Sequence, residues 1–99
     1  MRTRVEVSTH VEDFLRTLAP QPRRALIQAM KGLAHNRGDR KALEGKLAGY
    51  HRLRVTSHRV LYRELILEGE RVFLCDFAEH RSVVYEIFQQ MLLKALSKQ

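Results

Sequence analysis

Hydrophobic positions in this chain recur with two different periods, and the changes of period mark its elements. Val5 and Val7 alternate with Arg4, Glu6 and Ser8, the period-two pattern of a strand with one buried face. From Val11 the spacing changes. Val11, Phe14, Leu15 and Leu18 stand at i, i+3, i+4 and i+7, one stripe of an amphipathic helix. Thr9 and Glu12 fit a capping box at its start. Pro20 and Pro22 end that helix. Pro22, locked in φ and lacking an N–H, opens a second one, whose apolar stripe is Leu26, Ile27, Met30, Leu33 and Ala34. Arg23, Arg24 and Lys31 lie off the stripe.

Asn36-Arg37-Gly38-Asp39 is a turn cluster. Residues 36–48 hold no sustained period; Lys41 to Lys46 has room for one helical turn, and Leu43 and Leu47 pin the loop to the core. Alternation returns at Gly49. Tyr50, Arg52 and Arg54 leave on one face of an extended strand, and His51, Leu53 and Val55 on the other. Thr56-Ser57 turns the chain into a second strand from His58 to about Ile66. Glu68-Gly69-Glu70 is a further turn, and Arg71 to Ala78 a further strand. Consecutive strands with tight turns predict an antiparallel meander. A last helix is expected from about Ser82 to Leu96, with Val84, Ile87, Phe88, Met91, Leu92 and Ala95 on its apolar face. The order is β-α-α-β-β-β-α. Helices segregated from an antiparallel sheet make the fold class α+β, with an N-terminal helical hairpin and a C-terminal helix.

Ninety-nine residues, 44% of them apolar, fit a single domain over 1–99 and exclude a disordered chain. Cys75 is the lone cysteine, so no internal disulfide forms, as suits a reducing compartment. It stands in the apolar run Val72 to Phe77 and reads as a core residue. Met1 to Val7 has no apolar signal core. No stretch approaches the roughly 20 apolar residues that span a bilayer. A cytoplasmic protein without membrane contact is expected. No metal-ligand cluster and no Gly-rich phosphate loop appear, so no metal or cofactor is expected. The basic region lacks paired carboxylates, and glycosidase or kinase readings have no support.

The net charge of +7 changes the picture further, because of where it falls. From Gly45 to Arg63 there is no Asp or Glu, against Lys46, four arginines and two histidines. Arginine offers a planar fork of donors suited to phosphate. A half-buried hairpin carrying uncompensated guanidinium groups is a natural surface for a polyanion or an acidic protein.

Three motifs in order carry a resemblance. They are Leu47-x-Gly49-Tyr50-x-Arg52-Leu53-Arg54-Val55, the echo Arg59-Val60-x-Tyr62, and the ending His80-Arg81-x-x-x-Tyr85. With the element order, they resemble the RelE/ParE superfamily of toxins from toxin–antitoxin pairs, with the RelE-like branch favoured. The resemblance implies a microbial RNase-like fold and a metal-independent endoribonuclease that cleaves mRNA in the ribosomal A site and so inhibits translation. It also implies a cognate antitoxin, which covers or displaces the last helix, and contact with operator DNA only as the toxin–antitoxin complex. Site roles carried over from the family fall on Arg52, Arg54, Arg59, His80, Arg81 and Tyr85, with Lys46 adding phosphate-binding charge. The family's central strand often carries Lys where this chain has Arg52 and Arg54, which suits phosphate binding and not proton transfer. The alternatives are a ParE-like gyrase inhibitor without enzymatic activity and an inactive or nucleic-acid-binding member.

Metal-free RNA cleavage needs a base near the 2′-OH, charge stabilisation of the crowded phosphorane and an acid for the departing 5′-oxygen. Removing one preorganised donor to such a charge costs roughly 3 kcal/mol of barrier. Arginine hardly ever loses its proton, so proton transfer falls to His51, His58, His80 or Tyr85. His51 points away from Arg52, and His58 sits at a turn. His80, at the strand-to-helix junction, is either a group poised near neutrality or a helix-entry residue. Tyr85 either stacks on a base and donates its hydroxyl, or packs in the core. Tyr50 and Tyr62 read as sheet-packing residues. Arg81 contacts phosphate or pairs with Glu79 or Glu86. The enzymatic reading requires the hairpin and the start of the last helix to share one face of the sheet.

Overall fold

The computed structural model describes residues 1–97. Its elements run β1 (Thr3–Val7), α1 (Thr9–Thr17), α2 (Pro20–Gly32), β2 (Asp39–Ala42), β3 (His51–Val55), β4 (His58–Leu67), β5 (Glu70–His80) and α3 (Val84–Ser97). The α+β class, the helical hairpin and the C-terminal helix are those the sequence indicates. Local chemistry moves two helix starts. The N-cap of α1 is Ser8 and not Thr9: its Oγ accepts from the Val11 N–H at 3.2 Å and donates to the Asp76 carbonyl at 2.7 Å. This serine thus caps a helix and ties it to β5. Helix α2 begins at Pro20, with both prolines in its first turn, where a missing N–H costs nothing. From α2, Arg23 reaches back and donates to the Leu15 and Leu18 carbonyls at 2.9 and 2.8 Å. It satisfies acceptors that the end of α1 leaves open.

One five-stranded sheet carries the fold, in the order β1-β5-β4-β3-β2. The meander β2-β3-β4-β5 is antiparallel, and β1 lies parallel to β5. The expected antiparallel sheet therefore gains one parallel edge; β1 and β5 are not consecutive, and the intervening chain is long enough for the crossover that parallel neighbours need. The segment expected to hold a helical turn at Lys41 to Lys46 instead supplies a strand, Asp39–Ala42, and a short 3-10 turn, Gly45–Leu47. All four residues of β2 are exposed, so no alternation betrays it. A short, charged outer strand is the usual form of a sheet edge. Gly38 takes φ +110° just before it, and a Cβ there would meet Leu53 Cδ1 at 2.6 Å.

Each face of the sheet is covered. On one, α1 and α2 bury Val11, Leu26, Met30 and Leu33 against Leu53, Val55, Val60, Tyr62, Phe73 and Cys75. On the other, α3 brings Val84 and Phe88 onto Leu47, Leu61 and Phe77. Strand β5 contributes to both faces with a shift in the middle. Leu61 pairs with Phe77 and Tyr62 with Cys75, leaving Asp76 as the extra residue of a β-bulge. Before the bulge, odd-numbered Phe73 and Cys75 face α1 and α2. After it, Ala78 faces them and Phe77 faces α3. Among the described residues, no helix is long and apolar enough to cross a membrane.

Candidate active site

Residues directly opposite in paired strands share a face. Lys41, Arg52, Leu61 and Phe77 form one row across four strands, and Asp39, Arg54, Arg59 and Glu79 the next. Leu61 and Phe77 lie under α3, so all three hairpin arginines lie on the α3 face. The strand alternation and the two-residue turn at Thr56-Ser57 put them there. Thr56 takes φ +53°, the left-handed region that such turns require and that a β-branched residue adopts reluctantly.

The arginines differ in how they are held. Arg52 Nη1 donates to the Asp39 carbonyl at 3.3 Å and to Asp39 Oδ1 at 3.2 Å. Arg59 Nη1 donates to the Thr56 and His58 carbonyls, both at 2.9 Å, which folds it over the hairpin turn. Arg54 is exposed and forms no ion pair among the described residues. Arg81 is also exposed, and its N–H donates to the Ser57 carbonyl at 2.8 Å. That bond fixes its backbone beside the turn, at the end of the sheet where Arg54 and Arg59 lie.

Tyr85, in the first turn of α3, closes a recess of about 270 Å³ that Arg52, Lys41, Ala42, Leu43 and Glu44 also line. The phenol thus meets the arginine face. Glu44 supplies a carboxylate and Lys41 an ammonium to the same recess, and neither was singled out from the sequence. Both come from the segment without a hydrophobic period. The available signal was the charged run Asp39-Arg40-Lys41 next to an arginine strand, which suits an exposed edge.

His80 lies elsewhere. Its partner across β4 is His58, which pairs with Val55 on the α1–α2 side. The two imidazole rings stand 6.0 Å apart, and His58 packs edge-on to Phe14 of α1 at 5.7 Å. The bulge at Asp76 is the cause: it shifts the alternation by one, sending Glu79 to the arginine face and His80 behind the sheet. His80 Nδ1 accepts from the Ser82 N–H at 3.2 Å and lies 2.8 Å from Ser82 Oγ, so it serves the turn into α3. Burial lowers the pKa of His58; the charge of His80 lowers it further, and Glu79 opposes. His51 stacks on Tyr62 at 5.2 Å, on the face away from Arg52. Lys46 does not line the recess. It lines a groove of about 470 Å³ along α3 with Gln89, Leu92, Leu93, Ala95 and Leu96. Cys75 is fully buried, and burial pushes its thiol pKa up to about 12, so it is a packing residue and not a nucleophile. Among the described residues, no three His, Cys, Asp or Glu side chains are grouped to hold a metal.

The chain is similar to several solved structures. One is a chain of the toxin–antitoxin complex RelBE2 from Mycobacterium tuberculosis, at 27% identity and TM-score 0.62, covering 79% of this chain and 90% of that one. Another is the YoeB/ParE toxin from Agrobacterium tumefaciens, at 17% identity and TM-score 0.63, covering 82% and 99%. A third is a chain of the archaeal RelE–RelB complex from Pyrococcus horikoshii, at 22% identity and TM-score 0.62, covering 82% and 97%. No family model and no curated protein matches the chain. The protein has the fold of the RelE/ParE/YoeB toxins of toxin–antitoxin systems. Structures named for different branches match with TM-scores of 0.62 to 0.63, so the fold leaves the branch open.

Proposed function

We propose that this protein is the toxin of a toxin–antitoxin pair and an endoribonuclease that cleaves mRNA in the ribosomal A site, inhibiting translation in the cytoplasm. The observation that carries the reading is the convergence of Arg52, Lys41, Glu44 and Tyr85 on one recess beside the Arg54–Arg59 row. The recess joins cations, a carboxylate and a phenol, which are the groups that the transesterification uses. Arg52, Arg54 and Lys41 hold the scissile phosphate and neutralise the phosphorane, with Arg59 and Arg81 engaging the flanking backbone. Glu44 takes the proton of the 2′-OH as that oxygen attacks phosphorus. The bond to the 5′-oxygen breaks, and Tyr85 donates its proton to the departing oxygen. The products are a 2′,3′-cyclic phosphate and a 5′-hydroxyl. His80 has no part in this scheme.

The partner is a cognate antitoxin. RelBE2, one of the similar structures, is a toxin–antitoxin complex. The groove along α3, apolar but edged by Lys46, suits an acidic amphipathic helix. The deciding experiment incubates purified protein with translating ribosomes and maps new mRNA 5′ ends. Wild type cleaves, and Arg52→Ala/Arg54→Ala loses at least about 100-fold in rate, two donors being removed. Cleavage by the double variant at the wild-type rate overturns the site. Inhibition of gyrase supercoiling with no mRNA cleavage overturns the activity.

A further inference from the structure

Tyr85 reaches the recess from α3, while Lys41, Arg52 and Glu44 reach it from the sheet and its edge. The width of the site is therefore set by how α3 sits on the sheet. One residue, Tyr50, meets both walls without lining the recess, one through its backbone and the other through its ring. The Tyr50 carbonyl accepts from the Leu43 N–H at 2.9 Å, fixing the segment that carries Glu44. The Tyr50 ring meets Phe88 edge-on at 4.9 Å and 83°. Phe88 lies three residues after Tyr85 on the same helix and also stacks on Phe77 at 5.4 Å. Tyr50 is itself backed by a cation: the Arg63 guanidinium lies 5.6 Å from its ring centroid. That guanidinium is held as a two-pronged pair, Nε to Asp76 Oδ2 at 2.8 Å and Nη2 to Asp76 Oδ1 at 2.9 Å. A fork–fork pair fixes orientation as well as distance. Asp76 is the bulge residue of β5, and bulges re-aim side chains next to functional sites.

We propose that Asp76, Arg63 and Tyr50 are positioning residues: a strut running from the β5 bulge to Phe88 that sets the height of the first turn of α3 and so the place of Tyr85 over Arg52. The inference rests on the endoribonuclease reading for its catalytic consequence, and on geometry alone for its structural one. Truncating the ring of Tyr50 lets α3 settle and moves the phenol of Tyr85, while every group that holds phosphate stays in place. Removing the Tyr50 hydroxyl alone changes little, because the ring makes the contacts.

The test compares Tyr50→Leu, Tyr50→Phe and Arg63→Met with wild type in two assays. In single-turnover cleavage on ribosomes, Tyr50→Leu is expected to lose about 30-fold in rate with RNA half-saturation unchanged within about twofold, as for a misplaced but still present group. Tyr50→Phe stays within about threefold of wild type, and Arg63→Met follows Tyr50→Leu. The second assay places 3-fluorotyrosine at position 85 and reads its 19F resonance in the free protein. The resonance moves in Tyr50→Leu and Arg63→Met and stays in Tyr50→Phe. A folded Tyr50→Leu with wild-type cleavage and an unmoved resonance overturns the strut, as does a Tyr50→Phe variant as impaired as Tyr50→Leu. If the wild type cleaves no RNA, the activity reading fails by itself and the resonance still decides the strut: movement upholds it, and no movement overturns it.

Discussion

An arginine holds phosphate at any physiological pH, and for the same reason it hardly delivers a proton. On the proposed reading Arg52, Arg54 and Arg59 therefore supply charge only, and proton transfer falls to Glu44 and Tyr85. Glu44→Gln keeps the shape and a hydrogen-bonding oxygen while removing the base. Its cleavage rate is expected to fall about 100-fold, with RNA half-saturation within about twofold of wild type, in single-turnover assays on ribosomes. The shared face of the arginines was legible in the sequence because strict alternation and a two-residue turn fix it, while Tyr85 came from the family motif. Glu44 was not, because it lies in an exposed segment without a period. His80 was carried over from the family motif and not from a face count, with helix entry left open beside catalysis. Counting by twos fails across a bulge, and nothing in Cys75-Asp76-Phe77 announces one.

At the scale of elements, the edge strand β2 is what the sequence concealed and what the site needs. It carries Lys41, leads into Glu44, and holds Arg52 through Asp39. The chain enters it through Gly38, whose φ of +110° and approach to Leu53 leave no room for a side chain. Gly38→Ala is expected to lower stability by about 1–3 kcal/mol, through overpacking and backbone strain together. Gly45, at φ +64°, has nothing within 4 Å of a Cβ, so Gly45→Ala carries the left-handed strain alone, about 1 kcal/mol. Urea denaturation of the two variants separates the terms, with Gly38→Ala the less stable. The helices were easier to read, because their apolar stripes meet two separate cores. The start of α1 shifted because Ser8, a residue before Thr9, both caps it and bonds Asp76.

Across the whole molecule, a sheet clad on both sides leaves its candidate site at one end of one face. The other side of that end holds the His58–His80 pair, which bears on stability. Burial, aided by the charge of His80, holds the pKa of His58 below its ordinary 6.5, with Glu79 opposing. The unfolded chain thus takes up this proton at a higher pH than the folded one. The stability concerned is complete above about pH 6.5 and is lost as pH falls through 6.5 towards the folded value. His58→Gln is expected to flatten the fall in denaturation midpoint between about pH 7.5 and 5.5. An unchanged slope would assign the acid sensitivity to other groups. The class and most of the order were legible because they follow from periodicity. The parallel β1–β5 pairing was not, because a strand's neighbour is chosen by the packing of the whole sheet.

The extra residue in β5 separates a residue's place in the count from the face its side chain takes. On this backbone Glu79 and His80 take opposite sides; in a regular strand of the same length they would trade places, and Phe77 would leave the α3 side with Glu79, whereas a strand lacking Asp76 altogether would keep all three on their present faces. A single codon lost at Asp76 would thus straighten the strand and leave the faces beyond it unchanged, while removing the Arg63–Asp76 pair. When chains of this fold are aligned, a strand one residue shorter at the bulge still presents the column of His80 on the same face.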